Sequence, residues 1–138
     1  MKIGKFVFLV MSIVLFTNCS NNDESSETIT LNGIWNLKNV SGGLLGINVD
    51  YDPGEVTWNF NLENNILTVE NNITTTGPED IYAGLDSGTY SFQVQQNGDT
   101  EVLYINNSVR GVIVLLSENQ LTLDDGVDAD GFATVFER

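Results

Sequence analysis

Leu31-Asn32-Gly33-Ile34-Trp35 opens the first run of alternating apolar residues in the 138-residue chain, and Phe136-Glu137-Arg138 closes the last. A Gly-x-Trp at the start of the first strand and an Arg at the end of the last can meet only if the sheet curls until its two edges are neighbours. That geometry is a closed barrel, and closure removes the unpaired edges that an open sheet of this composition would offer for aggregation. Three structural roles follow. Gly33, with no Cβ, lets the strand cross closely under the barrel floor. Trp35 plugs the closed end, and Arg138 lays its guanidinium on the indole face, a contact worth about 1 to 2 kcal/mol once desolvated.

From residue 31 onward the apolar pattern has period two, the mark of half-buried strands. Strands are expected at 33–40, 55–62, 66–73, 88–96, 99–106, 109–117, 120–124 and 132–138. The second of these alternates Val56, Trp58, Phe60 and Leu62 with Thr57, Asn59 and Asn61. Asn97-Gly98 is the strongest hairpin signal in the chain, because both residue types accept the left-handed conformation that tight hairpins need. The run Val112-Ile113-Val114-Leu115-Leu116 is aliphatic throughout, as expected of a strand covered on both faces or one at an association surface. Two long connections interrupt the strands. Residues 41–54 carry Leu44, Leu45, Ile47 and Val49, and a loop that apolar is expected to lie over something. In 74–87, Gly77-Pro78-Glu79-Asp80 signals a helix start, so Ile81-Tyr82-Ala83-Gly84 is expected as one helical turn or a lid. Eight strands, short turns and no long amphipathic helix give an all-β, eight-stranded antiparallel up-and-down barrel, with a β-sandwich as the alternative.

The leader is of a different kind. Lys2 and Lys5 precede an apolar run from residue 6 to 16 that is too short for a membrane-spanning helix and has secretory length. Cys19 follows directly after Phe16-Thr17-Asn18, which resembles a bacterial lipoprotein signal. That resemblance implies a signal peptide over 1–18, an acylated Cys19 as mature N-terminus, and an outer-membrane address held by lipid. Residues 19–30 are too polar to bury a core and read as a flexible acidic tether. Its start, Ser20-Asn21-Asn22-Asp23-Glu24, resembles the acidic patch of surface-exported Bacteroidota lipoproteins, and both the periplasmic and the cell-surface face remain open.

Charge excludes one large class of partner. The chain has five Lys and Arg against nineteen Asp and Glu, a net charge of −14. Without Lys2 and Lys5, three cations (Lys38, Arg110 and Arg138) face nineteen carboxylates, or −16. Such a surface repels phosphate backbones, so nucleic acid is not an expected partner. The single Cys leaves no intramolecular disulfide, and the fold has to be held by its core.

The Gly33-Ile34-Trp35 opening followed by Leu37 resembles that of lipocalins. Trp58-Asn59-Phe60, Gly88-Thr89-Tyr90-Ser91-Phe92 and the closing Asp130-Gly131…Phe136-Glu137-Arg138 make residues 31–138 similar to the short lipocalin-like domains of Bacteroidota lipoproteins. The resemblance implies a barrel that binds a small ligand. Lipocalins proper are longer and carry a helix packed on the barrel, so a full-size internal calyx is not expected here.

Chemistry is thinly provided. The chain has no His, lipid would occupy Cys19, and a Ser-Lys pair has only Lys38 to draw on, so no catalytic residues are expected and the chain does not read as an enzyme. Asp124 to Gly131 alternates carboxylates with Gly, as hard-cation loops do, but lacks the bidentate Glu and flanking helices of an EF-hand. It reads as an Asp-Gly turn, with no metal and no cofactor. The ligand candidates are Trp58, Tyr90 and Phe92 on inward faces, Leu44, Leu45, Tyr51 and Tyr82 in the long loops at the mouth, and Arg110, the cation placed to pair a ligand carboxylate. Two functions remain. One is a lipid-anchored module holding a small apolar or amphipathic ligand at the barrel mouth. The other is an accessory or protein-interaction lipoprotein whose partner the sequence does not specify. An open apolar cavity favours the first, and an interior filled by Trp58, Phe60, Tyr90 and Phe92 favours the second.

Overall fold

A computed structural model describes residues 30–138; the expected signal segment, Cys19 and the expected tether up to residue 29 lie outside the described residues. The chain folds into β1 (Gly33–Gly42), β2 (Ile47–Asp50), β3 (Val56–Asn61), β4 (Ile66–Asn71), helix α1 (Pro78–Tyr82), β5 (Gly88–Asn97), β6 (Thr100–Ile105), β7 (Ser108–Leu116), β8 (Gln120–Asp124), a 3₁₀ turn (Val127–Ala129) and β9 (Phe132–Glu137). The strands form one antiparallel sheet in the order β2-β1-β3-β4-β5-β6-β7-β8-β9, and β1 also pairs with β9. That last pairing runs from Asn36 opposite Glu137 to Gly42 opposite Phe132 and closes an eight-stranded barrel.

β2 is the additional strand, and the 41–54 segment is therefore not a loop laid over the fold. β1 continues past its contact with β3, which takes Gly33 to Asn36, and offers the same edge to β2 over Asn39 to Gly42. The apolar residues Ile47 and Val49 that made the segment conspicuous are the inward-facing residues of this short strand, packed on the core.

Because each barrel strand runs against its neighbour, the connections sort to two ends. One end gathers residues 30–32, the turns at 62–65, 98–99 and 117–119, and Arg138. The other gathers the β1–β2 hairpin and the segments 51–55, 72–87 and 125–131. Strand tilt carries the 106–107 turn away from that end to the first: Asn106 N–H donates to the Ser91 carbonyl at 2.9 Å, and Phe92 N–H next to it donates to the Asn65 carbonyl at 3.0 Å. Turn chemistry matches. Asn106 and Asn107 have φ of 49° and 63°, the paired left-handed conformation of a two-residue hairpin turn.

The Trp35 end is built as a plug. Trp35 has no solvent exposure, and its indole Nε1 donates to the Leu31 carbonyl at 2.8 Å. The Arg138 guanidinium carbon lies 4.0 Å from the indole centroid, and Nη2 donates to the carbonyls of Thr30 at 2.7 Å and Asn32 at 2.8 Å. The last residue of the chain thus ties down the first described ones. Gly33 has a different reason from the one its position suggests. A Cβ there would meet no atom within 4 Å, but φ is +108°, a conformation L side chains rarely adopt.

The interior is solid. Trp35, Trp58, Phe60 and Phe136 are at most 1% exposed, as are Leu37, Leu67, Leu103 and Leu121. An aromatic chain crosses it, with centroid separations of 5.0 Å from Phe92 to Phe60, 6.0 Å from Phe60 to Trp58 and 4.7 Å from Trp58 to Phe136. A cavity large enough for water would leave accessible area on its walls, and these side chains have almost none. There is no internal calyx among them.

Candidate functional site

With the interior filled, the available space is at the two ends and on the outer wall. A depression of about 430 Å³ lies over Asn32, Asn59, Asn61, Glu63, Asn64 and neighbouring residues of the outer wall. It is open and almost wholly polar, with no apolar wall to hold a ligand. At the opposite end, a cleft of about 250 Å³ is bounded by Val40, Ile81, Tyr82, Gly84, Arg110, Asp125, Phe132 and Thr134. It combines apolar walls with a cation, Arg110, that is only partly exposed.

The 72–87 segment forms its roof. Pro78 at the start of α1 fixes the first turn, and Glu79 and Asp80 suit the positive helix end. Three contacts hold the segment across the mouth. The Tyr51 hydroxyl donates to the Glu79 carbonyl at 3.0 Å, Asn71 Nδ2 donates to the Leu85 carbonyl at 3.3 Å, and the Tyr82 ring packs 5.4 Å from that of Phe132. Ala83, 3% exposed, anchors the roof in the core.

Burial, with smaller contributions from the charges of Glu79 and Glu55, pushes the Tyr51 hydroxyl up to about 12 from its ordinary 10.0. The folded state therefore favours the neutral phenol. Its contribution to stability is complete below pH 10 and is lost as pH rises toward 12. Tyr51→Phe is expected to flatten the alkaline limb of a melting-temperature profile between those values; an unchanged limb would remove Tyr51 as its cause.

The floor of the cleft is set by a bulge. β6 and β7 pair Tyr104 with Val109 but Leu103 with Gly111, so Arg110 is the extra residue. A bulge re-aims a side chain, and here Arg110 turns inward beside Gly111, which is buried. The guanidinium carbon stands 5.6 Å from the centroid of the Trp58 ring. Above it is Gly84, whose φ of +91° suits glycine and where a Cβ would come within 2.8 Å of Arg110 Nη2, so a side chain there would push the guanidinium aside. Desolvation pulls the Arg110 pKa below its ordinary value, and the negative charge of Asp125 opposes that pull. A partly buried cation with little compensation costs stability. Arg110→Met, similar in length and apolar, is expected to raise unfolding free energy by about 1 to 2 kcal/mol in urea titrations; a loss of stability would mean that the guanidinium is already well compensated.

The structure brings two of the sequence's ligand candidates, Tyr82 and Arg110, to the cleft and places the others elsewhere. Trp58 and Phe92 belong to the packed interior, 0% and 4% exposed. Tyr90 is half-buried and donates its hydroxyl to the Asp86 carbonyl at 2.8 Å, holding the far end of the roof segment. Tyr51 is the latch described above. Leu44 and Leu45 sit at the tip of the β1–β2 hairpin, 83% and 86% exposed, and do not line the cleft. Val40, Thr134 and Phe132 are lining residues that the sequence reading did not single out. Their signal was phase: Thr134 and Phe132 continue the inward face of Phe136, and Val40 is the cross-strand partner of Thr134.

The acidic loop is committed to its own backbone. Asp124 Oδ1 accepts from the N–H groups of Gly126 at 2.7 Å and Val127 at 2.8 Å, and an Asp125 oxygen accepts from Phe132 N–H. The donors of Val127 and Gly126 hold the Asp124 carboxyl below its ordinary value despite some desolvation. No group of carboxylates placed to hold a metal occurs among the described residues. No family model, curated protein or solved structure matches the chain.

Proposed function

We propose that the protein is a lipid-anchored, lipocalin-like binding module that holds a small amphipathic ligand at the barrel mouth, under the 72–87 roof and not inside the barrel. The observation that carries this reading is the cleft over the solid core, lined by the apolar Val40, Ile81, Tyr82 and Phe132 together with the polar Arg110, Asp125 and Thr134. Small-molecule sites have this composition, an apolar concavity with a few placed polar groups. The filled interior removes the other place a barrel offers a ligand. The Gly33-Ile34-Trp35 opening and the Cys19 signal support the lipocalin-like and lipoprotein parts of the reading.

Two observations favour a second reading, an accessory lipoprotein that binds another protein: the interior is filled by Trp58, Phe60 and Phe92, the outcome expected of that reading, and one outer strand is apolar. The outer face of β7 exposes Val109, Val114 and Leu115 by 64%, 56% and 43%, an apolar strip on an otherwise acidic molecule. Native mass spectrometry of protein purified from its own cells separates the two. A co-purifying small molecule is expected; a stoichiometric protein partner with no small molecule would replace the first reading by the second. For the anchor, Cys19→Ser is expected to move the protein from the membrane fraction to the soluble one. Undiminished membrane association of that variant would contradict lipidation.

A further inference from the structure

Two buried N–H donors, Trp58 Nε1 and Arg110 Nε, have no acceptor anywhere among the described residues. They belong to side chains in contact, the guanidinium lying 5.6 Å from the indole centroid. Buried donors are ordinarily paired, because desolvating one without return costs more than most hydrogen bonds contribute. Carboxylates are not scarce, since the chain has nineteen acidic residues. Yet the ion pair formed among the described residues is Lys38 with Glu137 at 3.9 Å, on the surface. Asp125, the acid at the edge of the cleft, spends one oxygen on the Phe132 N–H. Trp58 is fully buried beneath the guanidinium and does not line the cleft. What the cleft presents is the Arg110 guanidinium, with no carboxylate paired to it, beside apolar walls.

We infer, resting on the reading of this cleft as the ligand site, that the ligand is a small monocarboxylate with a flat apolar body. Its carboxylate faces the Arg110 guanidinium, which offers the planar fork that carboxylates match. Its body lies against Val40, Tyr82 and Phe132. Size follows from the volume: about 250 Å³ equals roughly eight waters of liquid, which sets the ligand at about ten non-hydrogen atoms. A single negative charge follows from the surroundings. Asp125 lines the same cleft and the chain carries a net charge of −14, so a dianion such as a phosphate monoester meets repulsion that one guanidinium does not offset.

The test uses the full chain and three probes: phenylacetate, its neutral amide phenylacetamide, and phenyl phosphate. Binding is read by titration calorimetry and by the change in tryptophan emission, because Trp58 lies under the guanidinium. Phenylacetate is expected to bind at least tenfold more tightly than either other probe. Arg110→Gln is expected to abolish that preference, and Arg110→Lys to restore part of it. Equal binding of acid and amide by the wild-type chain would overturn the assignment of charge while leaving the cleft as a site. A preference that survives Arg110→Gln would place the anion elsewhere and overturn the inference. Tighter binding of phenyl phosphate would overturn the monoanion. Binding of none of the probes would overturn the cleft as a ligand site and the inference with it.

Discussion

Replacing Trp35 with Ala is expected to lower the free energy of unfolding by about 3 to 5 kcal/mol, the range for deleting a fully buried aromatic ring. Domains of this size have only about 5 to 15 kcal/mol in total, so the melting temperature should drop by roughly 15 °C or more. The loss has two sources. One is the cavity left where a side chain with no exposure stood. The other is the contact with Arg138 and the hydrogen bond from Nε1 to Leu31, which together secure both chain ends. In a double-mutant cycle with Arg138→Ala, the two substitutions should couple by about 1 kcal/mol. Additive losses would mean that the ends are held independently of one another.

Phe136→Ala is the second severe loss, again about 3 to 5 kcal/mol. Phe136 stands on the strand that closes the barrel, opposite Leu37 on one side and Leu121 on the other, with its ring 4.7 Å from that of Trp58. Deleting it weakens both seams of β9 at the level where the interior is widest in aromatic rings. Val114→Ala, on the exposed outer face, is expected to cost less than about 0.5 kcal/mol. Similar denaturation midpoints for the two variants would contradict an interior packed around the closing strand.

The barrel strands were legible because period two is a direct imprint of one buried and one wet face. Trp58, Phe60 and Phe136 announced the core by phase alone. The barrel seam was legible for a chemical reason, since a Trp in the first strand and an Arg just after the last have an obvious use for each other. β2 was not, because four residues between glycine-rich turns carry only Ile47 and Val49 as a pattern, too short for alternation to stand out. Gly33 was assigned to a close approach when its backbone φ was the cause, and no sequence pattern distinguishes the two. The site was half legible. Arg110 stood out as one of few cations, but the bulge that turns it inward is a register shift, and register belongs to the pairing of two strands. Leu44 and Leu45 drew attention by hydrophobicity, which says that a residue would gain from burial, not that the fold buries it. Gly84 was legible as the end of the Ile81-to-Gly84 turn, in keeping with its φ of +91°, but its nearness to a guanidinium that arrives from a distant strand was not.

The most direct test of a ligand held over a solid core is amide and methyl chemical-shift mapping during titration with phenylacetate. Shifts are predicted at Val40, Ile81 to Gly84, Arg110, Asp125, Phe132 and Thr134, with Leu67, Phe92 and Ile105 at the far end of the interior unmoved. Shifts running through Phe60 to Phe92, or confined to the outer face of β7, would contradict the account.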